Sequence, residues 1–362
     1  MTYSIAPFAL ACLLFGSGCT DAPTGPTVPM PDDLKAGVGT PIVVMSRNMY
    51  VGADVDVLIA ALEGQGSFDP GTAMAIALQT LAVTDFPTRV AAMAEEIARI
   101  RPVAIGLQEV SQIDVSIPQL GAEVHQDFLA SLLAALELRG LRYRVGASNQ
   151  NFNFTGIAGM SVALADADVL LVDDRVEMMN SGNGTYSCPG LCIPLSFGTL
   201  TRGWVRVDTR IAGKVVTFVS SHPESGAGTD LAMLRAGQLT ELMAGLPAGN
   251  AVILMGDLND TPGSPMYQVL MGAGFTDLWA ALHPGEPGWT CCHAADLQTS
   301  SLNQRIDYVM VRNGFLTGVG KPVGGARISL IDVAESDKAQ GPYARIWPSD
   351  HAGVVATLPP AR

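Results

Sequence analysis

The chain has 362 residues, of which 48% are hydrophobic and 15% are charged, so it can build a sizeable core and is not globally disordered. Its formal net charge of -13 argues against tight binding to long polyanions, because proteins that hold nucleic acid by neutralising many phosphates are usually basic. The charge does not exclude a nuclease, since a bound metal ion can supply positive charge locally.

The N-terminus has the features of an export signal. Residues 5–15 form an apolar run that is too short to span a bilayer as a stable helix and matches the core of a signal peptide. Small residues then precede Cys19, a pattern that resembles the lipobox of bacterial lipoproteins. We therefore predict a signal peptide over residues 1–18, a lipid anchor at Cys19 and an exported, membrane-associated protein. A plain cleaved signal, which would give a periplasmic or secreted protein, is the alternative.

The rest of the chain divides into a short tether and one domain. Residues 19–40 are rich in Pro, Thr and Gly, a composition that predicts an extended segment with no packed core. Residues 41–362 contain neither an internal repeat nor a second linker. We therefore predict a single domain over residues 41–362.

Strands and helices alternate in the first half of this domain. An apolar run at residues 41–45 predicts a buried strand that delivers Asn48 at its end. A Gly- and Pro-containing insertion follows at residues 50–87, and apolar residues at helical spacing over residues 90–100 predict an amphipathic helix. A second apolar run then leads to Glu109, which again places a polar residue at the end of a strand.

The second half repeats this pattern after a loop-like segment at residues 180–202. Val- and Ile-rich runs lead to His222 and to Asp257, and a third run carries Asp307 within it. Buried strands of this composition are typical of a layered α/β domain. The polar residues associated with these strands are, in chain order, Asn48, Glu109, His222, Asp257, Asn259, Asp307, Asp350 and His351.

Of the six cysteines, Cys12 lies in the predicted signal peptide and Cys19 is the predicted lipid anchor. The other four form two close pairs, Cys188 with Cys192 and Cys291 with Cys292. In an oxidising compartment we expect disulfides, and four cysteines leave three connectivities open. A four-thiolate zinc site is the competing interpretation, although adjacent cysteines chelate one tetrahedral ion awkwardly.

These polar side chains suit the hydrolysis of a phosphate ester. Attack on phosphorus needs a positioned water, a group that takes its proton, and cations that absorb charge on the oxygens. Carboxylate and amide oxygens favour Mg²⁺ or Mn²⁺, and a histidine beside a carboxylate is tuned for proton transfer near neutral pH. The sequence has no His-x-x-x-His pair, no P-loop and no Gly-x-Ser-x-Gly elbow, which removes three other hydrolase classes.

Six short motifs around these residues resemble the successive motifs of the endonuclease/exonuclease/phosphatase (DNase I-like) superfamily. They are Ser46-Arg47-Asn48, Leu107-Gln108-Glu109-Val110, Ser220-Ser221-His222, Gly256-Asp257-Leu258-Asn259, Arg305-Ile306-Asp307-Tyr308 and Ser349-Asp350-His351. The resemblance covers residues 42–357. It implies an α/β (α+β) fold, a four-layer sandwich of two facing mixed β-sheets flanked by helices. It also implies a phosphoric ester hydrolase that uses Mg²⁺ or Mn²⁺.

The resemblance assigns one group of residues to metal binding. Glu109 resembles the principal metal ligand, with Asn48 beside it and Asp350 contributing. Asp54 and Asp56 follow Asn48 closely in the sequence and are further candidates to approach the metal.

A second group resembles the catalytic residues of the superfamily. Asp257 and Asn259 resemble the pair that orients the attacking water and holds the phosphate. His351, supported by Asp307, resembles the general acid/base dyad. His222 resembles the second histidine, which contacts the phosphate or protonates the leaving group; which histidine acts as the base stays open.

Two other polar residues have alternative interpretations. Arg202 lies where many members of the superfamily hold the substrate phosphate, and an ion pair on the surface is the competing role. Asp277 has a counterpart in the superfamily, and we expect it to close a turn.

The expected function is metal-dependent hydrolysis of a phosphate ester by a phosphodiesterase, either nuclease-like or one that cleaves a phospholipid or sphingomyelin headgroup. A phosphomonoesterase that acts on an inositol phosphate is an alternative. A non-catalytic, surface-anchored binding protein with the same fold is the alternative from another class. The negative net charge weighs against nucleic acid and does not choose among the other substrates.

Overall fold

The computed structural model describes residues 40–118, 121–157 and 160–362. The signal peptide predicted for residues 1–18, the lipid anchor at Cys19 and nearly all of the predicted tether lie outside these residues and stay predictions. In the part of the chain that is described, no helix is long and apolar enough to cross a membrane.

The described residues contain seven α-helices and one short 3-10 helix. The α-helices are α1 (Val55–Leu62), α2 (Pro70–Thr84), α3 (Phe86–Ile100), α4 (Phe128–Glu137), α5 (Thr229–Gly245), α6 (Pro265–Gly272) and α7 (Leu278–Leu282), and the 3-10 helix spans Glu335–Asp337.

The described residues also contain 22 strands, which include an uninterrupted run between α4 and α5. They are β1 (Ile42–Asn48), β2 (Ala104–Gln108), β3 (Gln112–Ile117), β4 (Ala122–Asp127), β5 (Tyr143–Ile157), β6 (Met160–Asp173), β7 (Glu177–Thr185), β8 (Ile193–Leu195), β9 (Gly198–Leu200), β10 (Gly203–Ile211), β11 (Lys214–His222), β12 (Ala251–Asp257), β13 (Thr276–Asp277), β14 (Cys291–His293), β15 (Ser300–Gln304), β16 (Asp307–Arg312), β17 (Leu316–Gly318), β18 (Lys321–Pro322), β19 (Arg327–Ile331), β20 (Ala339–Gln340), β21 (Arg345–Ile346) and β22 (Gly353–Leu358).

Two mixed sheets form the centre of the domain. The first has the order β19-β22-β1-β2-β6-β3-β4, with β5 also paired to β6, and the second has the order β13-β16-β12-β11-β10-β7. Each sheet contains one parallel pair, β1 with β2 and β11 with β12, among antiparallel neighbours. The carboxyl ends of parallel strands lie at the same edge of a sheet, so each pair brings its terminal residues together.

Alternating apolar side chains divide each sheet between two cores. Val44 of β1 and Phe218 of β11 belong to the core between the sheets, whereas their neighbours Met45 and Val219 face the helices on the outside. Helices α3 and α4 cover the outer face of the first sheet, and α5 and α6 cover that of the second. The period-2 alternation of strands thus produces four layers, which confirms the predicted sandwich.

The insertion at residues 50–87 folds mainly into α1 and α2. Asp54 caps α1 by accepting a hydrogen bond from Val57 N at 3.2 Å, and Asp69 caps α2 by accepting from Gly71 N and Thr72 N at 2.9 and 3.0 Å. Asp54 therefore has a structural role in starting a helix. The segment at residues 180–202, expected to be a loop, instead contributes the edge strand β7 and the β8–β9 hairpin.

The two cysteine pairs are joined within themselves. Disulfides link Cys188 to Cys192 and Cys291 to Cys292, which is one of the three connectivities left open by the sequence. Since paired cysteines offer no thiolate, the described cysteines do not form the alternative four-thiolate zinc site.

Candidate active site

Residues at the ends of the two parallel strand pairs meet across the gap between the sheets. Asn48 ends β1, and its Nδ2 donates to Glu109 Oε1 at 2.8 Å and to Asp257 Oδ2 at 3.1 Å. Glu109 follows β2 in the first sheet and Asp257 ends β12 in the second, so one amide bridges both sheets. The strand ends that carry these predicted site residues therefore meet in the structure.

The parallel strands β11 and β12 of the second sheet approach each other closely at this point. A Cβ at Gly256 would collide with the carbonyl oxygen of Ser221 on β11. Only glycine permits this approach. The contact keeps His222, at the end of β11, beside Asp257, at the end of β12.

His351 and Asp307 form a buried pair. Their atoms Nδ1 and Oδ2 are 2.9 Å apart, and His351 Nε2 lies 3.7 Å from Asp257 Oδ2. Burial acts to lower the pKa of His351, but the charges of Asp307 and Asp257 outweigh it and raise the pKa well above the ordinary value. The carboxylate fixes the ring so that Nε2 is the atom available for proton transfer.

His222 approaches the same carboxylate oxygen from the other side. Its Nε2 is 3.6 Å from Asp257 Oδ2, and its Nδ1 is 3.6 Å from Asp168 Oδ1. Burial and the charge of Arg202 act to lower the pKa of His222, but Asp168 and Asp257 prevail and raise it to about 9. The ring is therefore held as an imidazolium at neutral pH.

Arg202 belongs to the site and is not on the surface. It is 8% exposed, its Nη1 lies 3.4 Å from His222 Nδ1, and its Nη2 donates to Glu224 Oε1 at 3.2 Å. The position follows from strand pairing, because Gly203 at the start of β10 lies opposite His222. The structure thus places Arg202 in a buried ion pair beside the second histidine.

Asn259 is held by its own turn. Its backbone N donates to Asp257 Oδ1 at 2.9 Å, and its Nδ2 donates to the carbonyl of Pro223 at 3.0 Å. Asn259 has a φ of 53° and Glu109 one of 55°, a left-handed conformation that is uncommon outside glycine. Unusual backbone geometry of this kind clusters at functional sites.

A pocket of about 350 Å³ opens over these groups. It is lined by the polar residues Glu109, Asp166, Arg202, His222, Asp257, Asn259, Asp350 and His351, among others. Six of the eight polar residues predicted from the strand ends and the Ser-Asp-His motif therefore line the pocket, and Asp307 supports His351, which does. Asn48, the eighth, is fully buried beneath it.

Comparison with known proteins decides the family. The sequence profile of the Endonuclease/Exonuclease/phosphatase family matches residues 76–351. The chain belongs to this family. Its members are generally phosphoester hydrolases and commonly use divalent metal ions. A search of curated proteins finds no match.

Solved structures show the same fold at low sequence identity. An endonuclease/exonuclease/phosphatase family protein from Leptotrichia buccalis is 15% identical with a TM-score of 0.55, and the alignment covers 88% of this chain and 99% of that one. The endonuclease/exonuclease/phosphatase from Beutenbergia cavernae is 21% identical with a TM-score of 0.55, covering 88% of this chain and 71% of that one. These similarities support the architecture and do not identify the substrate.

The donor set fits the divalent metal that this family commonly uses. Carboxylate oxygens of Glu109 and Asp257 lie within 4.8 Å of each other and of a ring nitrogen of His222, which as an imidazolium is not a donor to a cation. Burial raises the pKa of Asp350 to about 7, and the charges of Glu109 and Asp257 add to this effect. Clustered carboxylates that repel one another in this way suit a hard cation, which would relieve the repulsion.

The predicted ligand Asn48 has an orientation of its own. Its Oδ1 accepts a hydrogen bond from Tyr50 N at 2.8 Å, while its Nδ2 faces the carboxylates. Both halves of the amide are thus occupied by protein groups, and in this arrangement Asn48 positions Glu109 and Asp257. Its role as a direct metal ligand stays a prediction.

The structure also places three other sequence candidates. Asp277 caps α7 and accepts from Arg305 Nη1 at 2.7 Å, as expected for a residue that closes a turn. Asp54 and Asp56 line the pocket from α1 and are exposed, so both lie at the rim of the site.

Residues that the sequence did not single out also support the site. Asp168 on β6 is fully buried beside His222, and Asp166 on the same strand lines the pocket. The signal was a pair of acids alternating with alanine inside an otherwise apolar run, Leu164-Ala165-Asp166-Ala167-Asp168-Val169.

Arg89 of α3 holds together the two loops that flank the site. It is fully buried, and its Nη1 donates to the carbonyls of Met49, Tyr50 and Pro348 at 2.7, 3.1 and 3.3 Å. Met49 and Tyr50 follow Asn48, and Pro348 precedes the Ser-Asp-His motif. Among the described residues Arg89 has no ion-pair partner, so its charge is balanced through carbonyl oxygens and the neighbouring aromatic rings.

Proposed function

We propose that this chain is a metal-dependent phosphodiesterase. The observation that carries the proposal is the placement of two buried histidines with their Nε2 atoms 3.6 and 3.7 Å from the same oxygen of Asp257. Each histidine has a carboxylate behind its other nitrogen. The family provides the reaction class, and this geometry supports hydrolysis at phosphorus in this chain.

Glu109, Asp257 and Asp350 are the residues that would hold the cation. When bound, a Mg²⁺ or Mn²⁺ ion would stabilise negative charge on the phosphate oxygens. The proposal does not depend on which of the two ions the protein uses.

Residues of the protein itself have the remaining catalytic roles. Asp257 and Asn259 hold the attacking water, because they share one turn at the C-terminal end of β12. His351, fixed through Nδ1 by Asp307, exchanges a proton at Nε2. His222 is cationic and, together with Arg202, offsets the charge that develops on the phosphate.

Turnover of two chromogenic esters tests the proposal. The protein is assayed with bis-p-nitrophenyl phosphate and p-nitrophenyl phosphate, with Mg²⁺ or Mn²⁺ and with or without EDTA. We expect metal-dependent release of nitrophenol, faster from the diester, and its loss in EDTA. An absence of metal-dependent turnover on these esters, on DNA and on phospholipids would favour a non-catalytic binding protein. A faster monoester would instead favour a phosphomonoesterase.

A further inference from the structure

The lining of the pocket includes an apolar wall. Three separate segments contribute to it, namely α1, the β5–β6 hairpin and the end of β9. The apolar lining residues from these segments are Val55, Ile59, Phe152, Leu164 and Leu200. None of them has a role in the proposed chemistry.

This wall is a built part of the fold. Phe152 is 7% exposed and packs beside Phe154, whose ring lies 5.1 Å from that of Phe197 between β8 and β9. Leu164 and Leu200 pack against the same core cluster. The part of the wall formed by Phe152, Leu164 and Leu200 is therefore supported by the core, as expected of a preformed binding site.

A polar link joins the two sides of the wall. Glu63, at the C-terminal cap of α1, accepts hydrogen bonds from the backbone N and the Oγ of Ser196 at 2.8 and 2.7 Å. Ser196 lies in the turn between β8 and β9. The insertion that carries Ile59 is thereby fastened to the hairpin that carries Leu200.

Charge at the rim opposes a polyanion. Asp54 and Asp56 are exposed on α1 and line the pocket. Among the described lining residues, Arg202 is the only lysine or arginine, and it is ion-paired with Glu224. A second phosphate next to the scissile one would meet the rim acids, because the cationic groups of the pocket, Arg202 and His222, are those assigned to the scissile phosphate.

We infer that the substrate is a phosphate diester of an apolar alcohol that carries no further negative charge near the scissile phosphate. The inference rests on the proposed function and specifies its substrate class. A volume of about 350 Å³ lies at the small end of the range for ligand pockets, which holds one compact organic group. The apolar wall takes this group while the phosphate faces His222 and His351.

Three soluble diesters test the inference on the whole protein with Mn²⁺. They are methyl p-nitrophenyl phosphate, butyl p-nitrophenyl phosphate and the p-nitrophenyl ester of thymidine 5′-phosphate. Each methylene that enters an apolar site adds about fourfold to kcat/KM, from ~0.8 kcal/mol per buried methylene. We expect the butyl ester to exceed the methyl ester by about tenfold or more in kcat/KM, and to exceed the thymidine ester.

Leu200→Ser and Ile59→Ser provide the matched test of the wall. Each should reduce the butyl-to-methyl ratio of kcat/KM by about threefold or more. Leu138→Ser is the control, since Leu138 is 87% exposed at the end of α4, and its ratio should equal that of the wild type. The use of two variants from different segments protects the test against misfolding of either one, and thermal unfolding verifies the fold.

The outcomes separate the inference from the proposed function. A butyl-to-methyl ratio near one, a faster thymidine ester, or a ratio unchanged in both folded wall variants would overturn the inference while the protein remains a phosphodiesterase. No metal-dependent turnover of any diester would overturn both. Phosphatidylcholine vesicles then distinguish a lipid substrate from a soluble one. Hydrolysis of the vesicles identifies a lipid substrate. If the butyl ester is preferred but the vesicles are not hydrolysed, the substrate is a soluble diester.

Discussion

Replacement of Asp307 by Asn tests the proton-transfer pair of the site. Asp307 Oδ2 lies 2.9 Å from His351 Nδ1, and the two residues are 2% and 5% exposed. The carboxylate accepts a hydrogen bond from Nδ1 and leaves Nε2 free to exchange a proton. An asparagine of nearly the same volume can present its amide N–H to Nδ1, which favours the tautomer with the proton on Nε2.

The expected loss follows from this geometry. In the serine-protease triad the equivalent Asp→Asn change lowers kcat by about 10⁴-fold because it stabilises the wrong tautomer. Water cannot replace the carboxylate in this buried pair. His222, however, reaches the same oxygen of Asp257 at 3.6 Å and retains part of the catalysis. We therefore expect kcat to fall by about 10²- to 10⁴-fold, with KM within about threefold of the wild type.

The assay is metal-dependent hydrolysis of bis-p-nitrophenyl phosphate under saturating substrate. Asp208→Asn is the matched control, because Asp208 lies on β10 of the same sheet and accepts from Thr217 Oγ1 at 2.6 Å without contacting the pocket residues. Thermal unfolding must show that both variants fold. A folded Asp307→Asn protein with kcat within threefold of the wild type would refute the role assigned to the pair.

Two further substitutions test the packing around the site. Arg89→Met leaves the buried carbonyls of the two flanking loops without a donor. We therefore expect the free energy of unfolding, measured in urea, to fall by about 2–4 kcal/mol. A loss below about 1 kcal/mol would contradict the role of Arg89 in holding these loops together. Burial raises the pKa of Asp166 from 3.8 to about 6, so the folded state favours its protonated form and stability is lost as the pH rises between these values. Asp166→Asn removes this penalty and should therefore stabilise the protein at pH 8 in EDTA by up to about 3 kcal/mol. At pH 4 it should give little gain, and an equal gain at both pH values would contradict the assignment.

The polar side of the pocket could be predicted from the sequence because its residues follow a simple rule. Asn48 and Glu109 end parallel neighbours in one sheet, and His222 and Asp257 do so in the other. Parallel pairing alone brings each pair together. The short motifs around them then indicated the family, which accounts for the contact of the two pairs across the sandwich.

The supporting residues were harder to predict because their burial depends on tertiary structure. Alternating Asp and Ala around Asp166 and Asp168 is the pattern of a strand with one solvated face, yet these acids are enclosed where β6 passes beneath His222. Arg89 occupies a helix and would ordinarily be solvated; its burial depends on two distant loops, and its contact with Pro348 joins residues that are 259 positions apart in sequence. Helical spacing does not report such distant contacts.

The insertion at residues 50–87 shows a similar limit. Its Gly and Pro residues predicted a loop, whereas Asp54 and Asp69 each start a helix by capping backbone N–H groups. The position of Ile59 in the pocket wall places this segment at the rim of the site. Which face of α1 meets the pocket depends on the Glu63–Ser196 link, and local sequence does not encode that link.

The most direct test of the proposed function compares wild type and His351→Ala in hydrolysis of bis-p-nitrophenyl phosphate with Mn²⁺. Removal of His351 deletes the ring that Asp307 holds beside Asp257. We predict turnover by the wild type that EDTA abolishes, and a loss of kcat of at least about 10²-fold in the folded variant. Undiminished turnover by His351→Ala, or turnover by the wild type that EDTA does not affect, would contradict the proposal.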